Sequence, residues 1–249
     1  MRRYWMEKES INAGSISIRD EKFKHIVGVC RQGLGSKFEV IADGKAYFVE
    51  MIDVQKKEAT AKIVEMRKIK EMPRPHIHLC LSLPKFNKLD EIVEKSVELG
   101  VSTIHPFTSE FSFIRSNADG FQSRRKRLEK IVESATQQSG RGDLMSIEPL
   151  VDLKTLLSTF NRKADAAGLF PYEGEGVQNI KDALPKTIAS NPSEVWVFIG
   201  SEGGFSHEEV REFQQVGLPP VTLGEQILRV ETACVAVVSI LKYHMGQFA

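Results

Sequence analysis

The chain has 249 residues, 41% of them hydrophobic and 27% charged, with a formal net charge of +1 at pH 7. That is enough apolar material for one large domain or two unequal ones, while no stretch approaches the ~20 uninterrupted apolar residues of a membrane span, and the opening MRRYWMEKES lacks the apolar run of a secretory leader. A cytoplasmic protein is expected.

The first seventy residues read as short strands separated by turn chemistry: SISI, then KFEVIADGKAYFVEMIDV with Asp43-Gly44 as a hairpin signal, then EATAKIVEMRKI. The expectation is a small β-barrel. It is also basic, with 15 Lys and Arg against 10 Asp and Glu, a balance of +5 that the rest of the chain nearly cancels. A basic module joined to a near-neutral one fits a polyanion partner. After the breaker MPRP the rhythm changes, which places a domain boundary near residue 72. HIHLCLSL is strand-like. KLDEIVEKSVELG is helical, with Ile92, Val93, Val97 and Leu99 on one face and Gly100 where a left-handed cap belongs. Strand and helix patterns then alternate: STIHPF, a basic helix from about Phe121 to Gln138, MSIEPLV, DLKTLLSTF, ADAAGLF, a weaker helix near Asn179, EVWVFIG, HEEVREFQQVG, VTL, and a last helix from Glu231 to about Met245. This alternation predicts an α/β domain built on a parallel sheet.

Two stretches carry the candidate chemistry. In FIGSEGGFSHEEV a buried strand ends in a glycine-rich turn, and Ser206 with Glu209 forms a capping box for the next helix. In LGEQILRVETA, Gly224 breaks a short strand, and Arg229 and Glu231 stand at the mouth of the last helix. Open α/β sheets bind ligands at the carboxyl ends of their strands, and glycine lets a ligand approach the bare backbone. Neither a P-loop nor an early G-x-G-x-x-G follows a strand, so a phosphate cradle and a dinucleotide-dependent oxidoreductase are disfavoured. G-x-S-x-G is absent too. Cys30, Cys80 and Cys234 read as buried thiols, His76 and His78 as packing on one face of a strand, and no metal site is expected.

Together with KFNKLDEIVEKSVELGV, SEFSFIRS and ATQQSGR, these strings resemble the RsmE family of 16S ribosomal RNA uridine-N3 methyltransferases, in the same order over nearly the whole chain. The resemblance implies a PUA-like β-barrel over 1–71 that helps bind RNA. It implies a SPOUT-type methyltransferase domain over 72–249, with a parallel sheet and a C-terminal trefoil knot, and it implies a homodimer. The implied cofactor is S-adenosyl-L-methionine, held by the turns after ADAAGLF, VWVFIG and VTL. Its expected contacts are Leu169, Phe170, Ile199, Gly200, Glu202, Gly203, Leu223, Gly224, Ile227 and Leu228. Ser201 stands where the family has proline, Gln226 and Phe111 where it has arginine, and Val230 where it has threonine.

Methylating a uridine ring nitrogen requires the loss of its proton, helped by a base or by a cation that stabilises charge on the carbonyl oxygens. Arg229 is assigned the cation's role, and the base is left as Glu202, Glu231 or water. Candidate contacts to 16S rRNA or the small ribosomal subunit are Arg2, Arg3, Lys22, Lys24, His25, Arg31, Lys85, Lys88, Arg115 and Arg141, whereas RRKR at residues 124–127 reads more plainly as a solvated helix face. A non-catalytic RNA-binding or ribosome-assembly protein that keeps the fold is the alternative.

Overall fold

The computed structural model describes residues 2–113 and 118–248. The chain divides into two compact units, Met1–Glu71 with Glu133–Leu144, and Met72–Val132 with Met145–Ala249. The segment Glu133–Leu144, which the sequence pattern leaves in the larger domain, thus groups with the first unit.

In the first unit, β1 (Arg3–Trp5), β2 (Ile11–Asn12), β3 (Ser15–Arg19), β4 (Lys37–Ala42), β5 (Lys45–Val54) and β6 (Glu58–Lys68) follow the path β1-β4-β5-β6-β3-β2. Asp43 and Gly44 close the β4–β5 hairpin with φ of 50° and 68°, the left-handed pair that matches strand twist and that an Asp-Gly signal predicts. Register shifts between Phe48 and Val49 and between Met51 and Asp53 add bend and twist, and the sheet encloses Ile16, Ile18, Phe38, Val40, Val49 and Met51. β1 and β2 are the ends of the strand path, and no hydrogen-bonded pairing joins them among the described residues. Between β3 and β4 the chain forms a short helix, α1 (Asp20–Phe23), that runs into a π-helical stretch, Lys24–Val29. Only Ile26 of that stretch is buried, so it carries no periodic apolar signal.

The second unit holds β7 (His76–Ser82), β8 (Thr103–Thr108), β9 (Ser146–Ile147), β10 (Val151–Asp152), β11 (Ala166–Pro171), β12 (Gln178–Asn179), β13 (Glu194–Ile199) and β14 (Pro220–Thr222). The sheet order is β10-β8-β7-β13-β11-β14-β12, with β9 beside β8, and every pair is parallel. MSIEPLV therefore supplies two short strands rather than one. The helices are α2 (Phe86–Glu98), α3 (Ala118–Ser139, whose end belongs to the first unit), α4 (Leu153–Asn161), α5 (Ile180–Thr187), α6 (His207–Gln215) and α7 (Val230–His244). An aromatic core of Phe107, Phe160, Phe170, Trp196, Phe198 and Phe213 fills one face of the sheet. α7 buries Val230, Ala233, Cys234, Val237, Val238 and Leu241 and packs against α2. The order β13-β11-β14 sets three strand ends, distant in sequence, side by side.

Candidate functional site

The turns after β11, β13 and β14 enclose one cavity of about 560 Å³. Its first wall is the glycine turn, Gly200, Ser201, Gly203, Gly204 and Phe205, with Ile199 at its base. A Cβ on Gly200 would lie 3.0 Å from the backbone of Gly204, closer than a side chain ordinarily comes, so glycine suits a turn that doubles back this tightly. The second wall runs from Thr222 to Leu228. Here Gly224 adopts φ +134°. The Thr222 hydroxyl donates to the Gly224 carbonyl at 2.8 Å and accepts from its N–H at 3.2 Å, fixing the bend. Pro171, Tyr172, Glu173, Gly174 and Val177 form the third wall, and Val230 and Ala233 of α7 complete the lining.

Of the ten residues expected to contact a cofactor, Ile199, Gly200, Gly203, Leu223, Gly224, Ile227 and Leu228 line this cavity. Leu169 and Phe170 do not. Both are fully buried, Phe170 in the aromatic core against Phe213 at 4.5 Å, because β11 continues to Pro171 before the chain turns. The wall at this strand is built one to several residues later than expected. The turn after ADAAGLF thus forms a wall where the resemblance implies one, but through Pro171 to Val177 rather than through Leu169 and Phe170. Glu202 is exposed, with one carboxylate oxygen 3.4 Å from the Lys85 backbone N–H, and lies outside the lining.

Arg229 is exposed and also outside the lining, although its neighbours Leu228 and Val230 both belong to it. Its backbone is extended and its carbonyl accepts from the Ala233 N–H at 2.8 Å, starting α7. Glu231 is ion-paired with Lys88 of α2. The Lys88 ammonium holds the Glu231 carboxyl below its ordinary range, which makes it a poorer proton acceptor than an unpaired carboxylate. That partnership takes Lys88 and Glu231 together out of the free groups the sequence offered.

The departures from the family pattern at Ser201 and Phe111 meet in space. The Ser201 hydroxyl donates to the Phe111 carbonyl at 2.6 Å, and a Cβ on Gly203 would fall 2.7 Å from the Phe111 Cβ. Ser206 caps α6 as expected: Glu209 N–H donates to its hydroxyl, and the Glu209 carboxylate accepts from the Ser206 N–H at 2.9 Å. The other Glu209 oxygen accepts from the Glu110 N–H at 2.8 Å, so the cap also holds the loop after β8.

The expected RNA contacts scatter. In the first unit Arg2 donates to the Cys30 carbonyl at 2.7 Å, Arg3 pairs with Glu39 at 2.7 Å, and Lys22 pairs with Glu133. Lys24, His25 and Arg31 are exposed. Arg2, Arg3, Tyr4 and His25 share a second cavity of about 420 Å³ with Ser134, Gln137 and Gln138. Arg141 is only 7% exposed and donates to Asp143 at 3.0 Å. Lys85 is exposed, and Arg115 lies outside the described residues. Arg124 and Arg127 both bind Asp90, at 2.9 and 2.8 Å, so part of RRKR is an α2–α3 tie rather than a free basic face. Among the described residues no group of three His, Cys, Asp or Glu side chains gathers as a metal site, and no helix is long and apolar enough to cross a membrane.

Fold and pocket together define an α/β domain whose strand-end turns form one cavity, accompanied by a small β-rich module. Residues 70–242 match the family described as RNA methyltransferase domain, and residues 18–64 match RNA methyltransferase PUA domain. The chain is 32% identical to ribosomal RNA small subunit methyltransferase E of Aquifex aeolicus, covering 90% of this chain and 92% of that one. It is 30% identical to the protein of that name from Buchnera aphidicola, with 93% and 88% covered. The crystal structure of a ribosomal RNA small subunit methyltransferase E from Neisseria gonorrhoeae bound to S-adenosyl methionine superposes with a TM-score of 0.84, at 26% identity over 98% of both chains. The chain belongs to the ribosomal RNA small subunit methyltransferase E family.

Proposed function

We propose that this protein transfers a methyl group from S-adenosyl-L-methionine to N3 of a uridine in 16S ribosomal RNA, in the decoding-centre region of the small subunit, acting in the cytoplasm as a homodimer. The observation that carries the reading is the closure of two glycine-broken turns on one cavity in a chain of this family. The cavity fits the cofactor's chemistry. Its volume lies in the range of small-molecule sites, Ile199, Leu223, Ile227 and Leu228 offer apolar surface to an adenosine moiety, and the glycines expose backbone donors and acceptors. Glu173 and Glu225, also in the lining, suit a ligand that carries positive charge. When bound, the cofactor supplies an electrophilic sulfonium methyl.

The protein's own part is to hold the uracil, exclude water and manage one proton. Arg229 is exposed between two lining residues, which supports a role in which its guanidinium meets a base brought to the cavity mouth and stabilises negative charge spreading onto the uracil oxygens. The N3 proton leaves to Glu202 or to water. Lys88 keeps Glu231 ionised and bound, so Glu231 acts here by fixing the start of α7 against α2. Apolar surface for pairing two copies is available at Ile227 and at Tyr243 near the end of α7.

The test is to digest small-subunit RNA from cells lacking the gene and from cells complemented with wild type or Arg229→Ala, and to search for a methyluridine by mass spectrometry. Wild type restores the missing nucleoside. Purified Arg229→Ala binds the cofactor normally by calorimetry and transfers methyl about 10²–10³-fold more slowly. An unchanged methyluridine in the deletion strain ends the proposal, and an unchanged rate removes Arg229 from the mechanism.

A further inference from the structure

The loop after β8, residues 109–113, is bound to the protein at every residue. The Ser109 N–H donates to the Ser112 hydroxyl at 2.7 Å, the Glu110 N–H to Glu209 at 2.8 Å, the Ser112 N–H to the Ser109 carbonyl at 3.1 Å, and the Phe113 N–H to the Leu83 carbonyl at 3.3 Å, while the Phe111 carbonyl accepts from Ser201. Beneath the loop the hydroxyls of Ser82, Ser109 and Ser112 form a buried cluster, 2.6 and 2.8 Å from Ser82 to its two partners. Yet this loop leaves two phenyl rings in solvent. Phe111 is 40% exposed and Phe113 is 63% exposed. Leaving them exposed forfeits part of the burial that two large rings would gain inside the protein. The Lys85 ammonium lies over one face of the Phe113 ring, 5.4 Å from its centre, so a stacked base would take the other face, and Phe111 packs directly on Gly203 of the cavity wall.

From this juxtaposition we infer that Phe111 and Phe113 form a stacking platform for unpaired nucleobases at the rim of the cavity, with Lys85 meeting the phosphate of the stacked nucleotide. This rests on the reading of the chain as an RNA-modifying enzyme and names how it takes hold of its substrate. Single-stranded RNA is bound by aromatic faces with neighbouring cations, because every base has a π face and every nucleotide a negative charge. A base inside a duplex cannot reach N3 chemistry, since that atom is engaged in pairing, so the platform belongs beside the pocket, where a displaced strand must be held. The hydrogen bonds along 109–113 order the backbone that carries the rings before RNA arrives, which lowers the entropy cost of binding.

The experiment is fluorescence anisotropy with a labelled single-stranded RNA oligonucleotide and with the same sequence in a duplex, on wild type, Phe113→Leu, Phe111→Leu, the double variant and Phe113→Tyr. Leucine keeps most of the apolar surface and removes the π face. Each leucine substitution weakens single-strand binding by roughly 5- to 150-fold, the equivalent of about 1–3 kcal/mol per stacked base. Duplex affinity is unchanged, and Phe113→Tyr binds as wild type does. Calorimetry shows an unaltered affinity for S-adenosyl-L-methionine in Phe113→Leu, which separates RNA capture from cofactor binding. Single-strand affinity equal to wild type in both leucine variants overturns the platform. So does a change in sedimentation that makes the rings a protein contact between copies and accounts for the whole loss. If wild type transfers no methyl group but Phe113→Leu still loses single-strand affinity, the proposed reaction falls and the platform stands.

Discussion

At the scale of single residues, the most perturbed groups include a histidine pair on the sheet, outside the pocket lining. His78 and His105 stack on Trp196, with ring centroids 5.0 and 4.3 Å away, and share a hydrogen bond of 2.9 Å between His78 Nδ1 and His105 Nε2. Burial pushes the pKa of His78 down to about 4 and that of His105 to about 3. In the unfolded chain both titrate near 6.5. Between these values the unfolded state binds protons that the folded state refuses, so stability is complete above about pH 6.5 and falls as the pH drops through the window toward 3–4. From pH 6.5 to 5 the loss is about 2 kcal/mol per histidine at order of magnitude. Urea denaturation at several pH values should therefore show a falling midpoint in wild type and a shallower fall in His105→Gln; equal slopes would mean the pair is not kept neutral. The plain reading of His78 as structural is available from the alternation in HIHLCLSL, but its pairing with His105 is not, because the two come from different strands.

At the scale of elements, the signals legible in the sequence are those whose chemistry is complete within a few residues. Asp43-Gly44, the Ser206–Glu209 box and the glycine turn each need only local backbone geometry, and each is found where the pattern puts it. What stays hidden depends on partners far along the chain: Lys88 with Glu231 and Ser201 with Phe111. Leu169 and Phe170 show the same limit from the other side. Their sequence marks an apolar strand end, and only the strand's length and the core behind it decide that they face inward. The start of α6 illustrates how a local signal acquires a second use. Glu209 is buried and accepts from the backbone of both Ser206 and Glu110. Ser206→Ala should cost about 1 kcal/mol, the ordinary value of a cap, whereas Glu209→Ala strands two backbone donors and should cost on the order of 2–4 kcal/mol. Hydrogen exchange at Glu110 should quicken in Glu209→Ala and stay near wild type in Ser206→Ala. Equal costs for the two variants would show that the carboxylate serves the helix alone.

At the scale of the whole molecule, the sequence shows the charge but not its deployment. The first seventy residues carry the excess of +5, and the structure divides their basic side chains into two sets. Arg3, Lys22 and Arg67 are engaged by Glu39 or Glu133, whereas Lys24 and Arg31 are exposed. An engaged cation is already neutralised by its partner and releases little counterion when RNA arrives; an exposed one that meets a phosphate displaces condensed ions, and the affinity then depends on salt. If the first unit holds RNA through its exposed set, the double substitution Lys24→Ala and Arg31→Ala should weaken binding at low salt. It should also flatten the dependence of log K on log salt concentration by about 1.4, since each cation that neutralises a single-strand phosphate accounts for about 0.7 of slope. Arg3→Ala should leave that slope nearly unchanged while lowering stability, because the buried Glu39 is then short of a partner. Titrating binding from about 50 to 300 mM salt separates the two classes. A slope that responds to Arg3→Ala and ignores the double substitution would assign the RNA-facing charge to the engaged residues, and with it a different face of the β-rich unit.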